Sequence, residues 1–234
     1  MTIEYDGTDF YGWQYQPDKR TVQGDIEGAL KRLTNETIRI IGAGRTDQGV
    51  HALGQVANFH ALTNLPLCQM RQGINSLTRD DINVKSVESV DNNFHSRFSA
   101  KAKVYRYQLL LEPSPLRMRY GWYTRYKLDV PNMRRIIPNV LGEHDFKNLS
   151  AHNEAKKTLC TIIGMSLTVD APHIIIEIEG NRFLRKMIRG IVGFMYDVGR
   201  GRFSPENTHD VFGGIIKDIY FAPPHGLYLA EVKY

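Results

Sequence analysis

Apolar residues along the first third of the chain fall into two periods. Val22, Ile26, Ala29, Leu30 and Leu33 recur at helical spacing behind Thr21, a residue suited to cap a helix N-terminus. That spacing predicts a helix with one buried face. Thr2 to Tyr5 reads as a short strand. Thr37-Ile38-Arg39-Ile40-Ile41 is β-branched and bounded by glycine, which predicts a second strand. Gln55-Val56-Ala57-Asn58-Phe59 alternates polar and apolar and predicts a third. Pro66 to Leu77 reads as a helix that begins at proline, and Ile82 to Val90 as another strand.

The pattern pauses at Asp91-Asn92-Asn93, and a second half follows with similar ingredients. Lys103 to Leu111 is a strong strand, Asp129 is placed to cap a helix from Pro131, and Thr158 to Val169 and His173 to Glu179 form a strand pair around Asp170-Ala171-Pro172. A helix is expected over Phe183 to Val198, another after Ser204-Pro205, and a last strand near Tyr228 to Val232. Strand-rich halves with interspersed helices predict an α+β fold with mainly antiparallel sheet, divided as residues 1–100 and 101–234. No short-period repeat, low-complexity linker or charge block interrupts the chain.

Composition narrows the function classes. A chain of 234 residues with 42% hydrophobic and 24% charged residues is that of an ordinary globular protein with a substantial core. Thirty Lys and Arg against 25 Asp and Glu give a formal charge of +5, which favours a polyanionic partner modestly. Cys68 and Cys160 lie far apart, which argues against a disulfide framework or a cysteine zinc site. No basic segment followed by an apolar stretch opens the chain, and no run of about 18 apolar residues occurs, so neither a signal peptide nor a membrane span is expected. Cytoplasm is the expected compartment.

The stretch with the richest chemistry is Gly42 to Ala52, GAGRTDQGVHA. Three glycines surround Arg45, Thr46 and Asp47, between two predicted strands. Its glycine order fits neither the dinucleotide fingerprint nor the phosphate loop. By local pattern the stretch is either a turn capped by Asp47, with Arg45 in a surface ion pair, or a catalytic loop. The segment Asp6 to Arg20 carries Phe10, Tyr11, Trp13 and Tyr15 without a clean period, either as a plug under the loop or as a platform near a nucleic acid with Lys19 and Arg20 on phosphates.

Later in the chain, Tyr105 and Tyr107 share one face of a predicted strand, interleaved with Lys103 and Arg106. Such a pattern serves a core or a surface for unstacked bases. Arg185 and Arg189 stack on one flank of the predicted helix, Arg182 extends that stripe just before it, and Arg189 borders its apolar face. An arginine there either belongs to a solvated face or pairs with a carboxylate from elsewhere and keeps it ionised. His51, His60, His95, His144 and His152 form no metal-ligand motif, so no metal is expected and each reads as structural or superficial. His144-Asp145-Phe146 is assigned to packing or hydrogen bonding.

Taken in order, IEYDGTDFYGWQ, GRTDQGVHA, KVYRYQL, GEHDF, FLRKMIRGIVG and PPHGLYLAEVKY match a known pattern over nearly the whole length. The chain resembles the TruA family of tRNA pseudouridine synthases. That resemblance implies two related α+β halves around a central RNA-binding cleft, a homodimer, and a cofactor-free isomerase. The reaction breaks the N1–C1′ bond of uridine, turns the uracil and rejoins it through C5. The resemblance also implies that Asp47 is the catalytic aspartate, that Tyr105 stacks on the target base, that Arg189 pairs with the aspartate, and that Arg45 displaces or holds the flipped nucleotide. The implied substrate is the tRNA anticodon stem-loop, at uridines 38, 39 and 40. Two rival readings are the same isomerase acting on another RNA and a noncatalytic RNA-binding protein. The second gives no reason for an acid between Arg45 and Gly49.

Overall fold

The computed structural model describes residues 1–151 and 157–234, so His152 lies outside the described residues. The chain forms two compact units. One comprises Met1–Lys101 with Tyr228–Tyr234, and the other Ala102–Leu227.

The first unit is built from β1 (Thr2–Tyr5), α1 (Val22–Thr34), β2 (Ile41–Gly42), β3 (His51–Asn58), α2 (Leu67–Leu77) and β4 (Ile82–Ser86). Strand β1 lies antiparallel between β3 and β4, with Thr2 opposite Val56 on one side and Tyr5 opposite Ile82 on the other. Helix α1 begins where expected: the Thr21 hydroxyl accepts from the Gly24 N–H. Its apolar stripe of Val22, Ile26, Ala29 and Leu30 is buried. Helix α2 packs on α1 and β4, and any side chain on Gly73 would run into the Leu33 methyls.

The strand predicted over Thr37 to Ile41 is much shorter, because only Ile41 and Gly42 pair with β3. Its β-branched residues still serve the core, with Ile38 and Ile40 buried. The backbone there is satisfied by a side chain instead of a ladder: Ile40 N–H donates to Glu27 Oε1 at 3.0 Å. Strand β4 also ends early, at Ser86, and Val90 is exposed.

The second unit contains β5 (Ala102–Leu110), β6 (Trp122–Tyr123), α3 (Val130–Arg135), α4 (Ile137–Val140), β7 (Gly142–Asp145), β8 (Leu159–Asp170), β9 (His173–Gly180), α5 (Met187–Gly199) and α6 (Thr208–Phe212). Strands β5, β9, β8 and β7 are antiparallel neighbours in that order, and the short β6 runs parallel to β5. The fold class is therefore α+β with mainly antiparallel sheet. Asp129 caps α3 as expected, accepting from Asn132 N–H at 3.0 Å. His144 packs as expected, its ring stacked on Phe212 with centroids 4.6 Å apart.

Helix α5 is nearly apolar all round and almost wholly buried, which makes it the core of this unit. It begins at Met187, four residues later than the sequence predicts. Lys186 adopts a left-handed φ of 61°, so the helix cannot extend back through it. Arg185 thus lies in the preceding turn, where its carbonyl accepts from Ala151 N–H. The expected helical stacking of Arg185 under Arg189 does not occur. The final strand, β10 (Leu227–Lys233), runs parallel to β3 in the first unit, with Tyr228 opposite His51 and Leu229 opposite Ala52.

Candidate active site

The loop between β2 and β3 is fixed from several sides. Asp47 O accepts from Val50 N–H at 3.2 Å, and Gly49 has a φ of 75°. That is the signature of a tight turn whose third position needs glycine. Asp47 opens the turn and is half-buried, while Arg45 is exposed two residues earlier. Asp47 therefore sits on a backbone with little freedom, and as a residue it is neither buried nor exposed.

The segment Asp6 to Arg20 lies directly on this loop. Trp13 N–H donates to Thr46 O at 3.1 Å. Gly12 takes a φ of 86°, and a Cβ there would stand 2.6 Å from Thr46 O. Only glycine lets the two backbones approach so closely. The Trp13 indole in turn covers Gly42. The aromatic segment is divided between core and surface. Phe10 and Trp13 are buried beneath it, and Tyr11 and Tyr15 are exposed. Lys19 stands over the Tyr11 ring at 4.5 Å, and Arg39 over Tyr15 at 5.2 Å. Arg20 is not a phosphate hook. It forks onto Asp81 at 2.6 and 2.8 Å and bonds Asp25 at 2.9 Å, which ties the segment to its own unit.

His51, at the head of β3, is buried and structural. Its Nδ1 lies 3.1 Å from both the Gly7 N–H donor and Asp6 Oδ1, and its ring stacks on Tyr228. These contacts pin the far end of the Asp47 turn.

In the second unit, Tyr105 is 8% exposed on β5 and meets Phe183 edge to face at 5.0 Å. Tyr107 lies on the same face, fully buried, and its hydroxyl donates to Pro223 O at 2.8 Å. Burial pushes the Tyr107 phenol well above its ordinary range, against the pull of the nearby Arg189 charge. Arg189 occupies the first turn of α5 and is half-buried. Its Nε donates to Ala222 O at 2.6 Å, and Ala222 N–H donates back to Arg189 O at 3.0 Å. Gly193, one turn further on, makes room for this strap, since a Cβ there would stand 1.6 Å from Tyr220 O.

Arg45 and Asp47 thus share one loop of the first unit. Tyr105 and Arg189 belong to the second, Tyr105 sharing a strand face with Tyr107 and the Arg189 charge acting on the Tyr107 phenol. Three contributors carried no obvious sequence signal: Phe183 against Tyr105, the Ala222 carbonyl on Arg189, and Gln55 beneath the Asp47 loop. Gln55 had one clue, since it shares the strand face of Ala57 and is therefore a polar residue in an inward phase.

Comparison with known proteins shows the family of the chain. A family described as tRNA pseudouridine synthase matches residues 1–99 and 136–234. A "tRNA pseudouridine synthase A" of Caldicellulosiruptor bescii is 42% identical, covering 100% of this chain and 98% of its own. Proteins of the same description from Chlorobium limicola and Brevibacillus brevis are 42% and 39% identical, each covering 99% of this chain and 97% of its own. A solved structure titled as a Cbf5-Nop10-Gar1 complex aligns with a TM-score of 0.37 and 9% identity over 97% of this chain and 56% of that one, too slight a likeness to bear on the assignment. These relatives cover 99–100% of this chain. The chain belongs to the tRNA pseudouridine synthase family.

Proposed function

We propose that this protein isomerises uridine to pseudouridine in the anticodon arm of tRNA, at positions 38, 39 and 40, with Asp47 as the catalytic carboxylate. The observation that carries this reading is a half-buried acid held on a turn with no slack, in a chain that matches tRNA pseudouridine synthases over its whole length.

The chemistry asks for one carboxylate. Glycoside hydrolysis usually employs two, because one must activate water. In this isomerisation water must stay out, since sugar and base are both retained. The N1–C1′ bond breaks, the uracil turns, a C5–C1′ bond forms, the C5 proton leaves to solvent and N1 takes up a proton in its place. A single carboxylate can join the substrate covalently and depart again, or remove a proton. Arg189 serves as the basic partner of Asp47. Extruding the target nucleotide costs a few kcal/mol. Tyr105 stacking on the base and Arg45 holding the displaced nucleotide offset that cost. Phosphate contacts from the basic surface supply affinity, so binding weakens as salt rises. The protein acts as a cytoplasmic homodimer and needs no cofactor.

The test is isomerisation itself. Transfer RNA labelled with tritium at uridine C5 should release label to water with wild-type protein, and mapping of the product should place pseudouridine in the anticodon arm. Release from another RNA but not from tRNA would favour a different substrate. No release from either would overturn the enzyme reading.

A further inference from the structure

Beneath the Asp47 turn lies a small polar cluster built on the buried side chains of Tyr5, Thr46 and Gln55. Tyr5, on β1, places its hydroxyl 2.7 Å from Thr46 Oγ1. Gln55, on β3, is 0% exposed. Its Nε2 donates to Gly44 O at 2.7 Å, and its Oε1 accepts from Gly44 N–H at 3.4 Å. Thr46 is itself buried, and its backbone oxygen is taken by Trp13 N–H.

Each bond answers a specific need of the chain. After β2 the backbone leaves the ladder, so Gly44 has no strand neighbour for its N–H and C=O. A buried peptide group without partners is costly. A primary amide offers a donor and an acceptor side by side, and Gln55 spends both on this one residue. The Tyr5 hydroxyl spans from the neighbouring strand to the side chain of the next loop residue but one. Gly44 and Thr46 are thus gripped from below on either side of exposed Arg45, with Asp47 following at once. Apolar side chains of similar size would fill the same space but would fix no backbone orientation.

We propose that Tyr5, Thr46 and Gln55 are positioning residues for the isomerisation, acting through the loop backbone to hold the Asp47 carboxylate in its reactive orientation. The inference rests on the reading of Asp47 as the catalytic group. All three are buried, so their effect should appear in turnover and not in RNA affinity. A displacement of about 1 Å at a reacting group costs on the order of a hundredfold in rate.

The experiment compares Tyr5→Phe, Thr46→Val, Thr46→Ser and Asp47→Asn in tritium release from labelled tRNA, alongside tRNA dissociation constants and melting temperatures. Tyr5→Phe and Thr46→Val should lower kcat by roughly 10- to 100-fold, with KM and tRNA affinity within about twofold of wild type. Thr46→Ser, which keeps the hydroxyl, should recover most of what Thr46→Val loses. The proposal is overturned if Tyr5→Phe and Thr46→Val turn over at the wild-type rate, or if Thr46→Ser is as slow as Thr46→Val. Asp47→Asn separates the two levels of the argument. Turnover by that variant would sink the reading of Asp47 itself, whereas an inert Asp47→Asn beside a fully active Tyr5→Phe would sink only the positioning role.

Discussion

Arg189 is tied to Ala222 by two hydrogen bonds, one from its side chain at 2.6 Å and one to its backbone at 3.0 Å. A guanidinium has five N–H donors in a rigid fork, so committing Nε to one carbonyl sets the plane of the rest. The strap that makes this bond crosses α5 where Gly193 leaves no side chain in the way.

Gly193→Ala should therefore act on Arg189 at a distance. The added methyl would collide with Tyr220 O, so the strap must move and take the Ala222 carbonyl with it. We expect a loss of about 1–3 kcal/mol of stability from overpacking. Turnover should fall beyond what the unfolded fraction explains. Urea unfolding and single-turnover assays on the same preparation check both. An equally stable, fully active variant would show that the strap does not fix Arg189.

Tyr105→Leu should separate binding from chemistry. The ring lies at the surface end of a buried face, braced by Phe183. Base–aromatic stacking is worth about 1–3 kcal/mol. We expect tRNA still to bind and turnover to drop sharply. Phe183→Leu should give a weaker version of the same defect, by loosening the brace. Unchanged turnover in Tyr105→Leu would refute the stacking role.

The two thiols should differ in reactivity. Cys68 is exposed and Cys160 is buried, where burial raises the pKa of its thiol. A thiol reagent should modify Cys68 quickly in the folded protein and reach Cys160 only after denaturation. Fast modification of both would contradict the packing of β8.

Alkaline pH should destabilise the fold in a defined direction. Burial pushes the Tyr5 and Tyr107 phenols and the Cys160 thiol above their ordinary values. Below the unfolded-state pKa of each group, both states are protonated and the groups make no pH-dependent difference. Above it, the unfolded chain ionises freely while the folded chain cannot, so stability falls as pH rises. Melting temperature should decline above about pH 8.5 for the thiol and more steeply near pH 10 for the phenols. Tyr5→Phe should shrink the steeper part; a decline of the same size in that variant would remove Tyr5 from the explanation.

Much of this could be read from the residues because local and global signals agree. Thr21, Asp129 and the alternation of β5 each point to the structure they adopt. The misreadings share a cause: tertiary contacts that overrule local pattern. Ile38 and Ile40 are β-branched because they fill a core, while Ile40 finds its backbone partner in the Glu27 side chain. Phe183 to Lys186 look helical, yet Phe183 is needed against Tyr105 and Lys186 must turn the chain. At the candidate site, Asp47, Arg45, Tyr105 and Arg189 were legible as motif residues. Gln55 and Ala222 were not: one hides as a polar residue in a strand, and the other acts through a carbonyl every residue possesses.

The central claim is that Asp47 performs the isomerisation. The most direct measurement is tritium release from tRNA labelled at uridine C5, comparing wild type with Asp47→Ala at matched tRNA occupancy. Wild type should release the label, and Asp47→Ala should bind the same tRNA and release none above background. Release by Asp47→Ala at the wild-type rate would contradict the account.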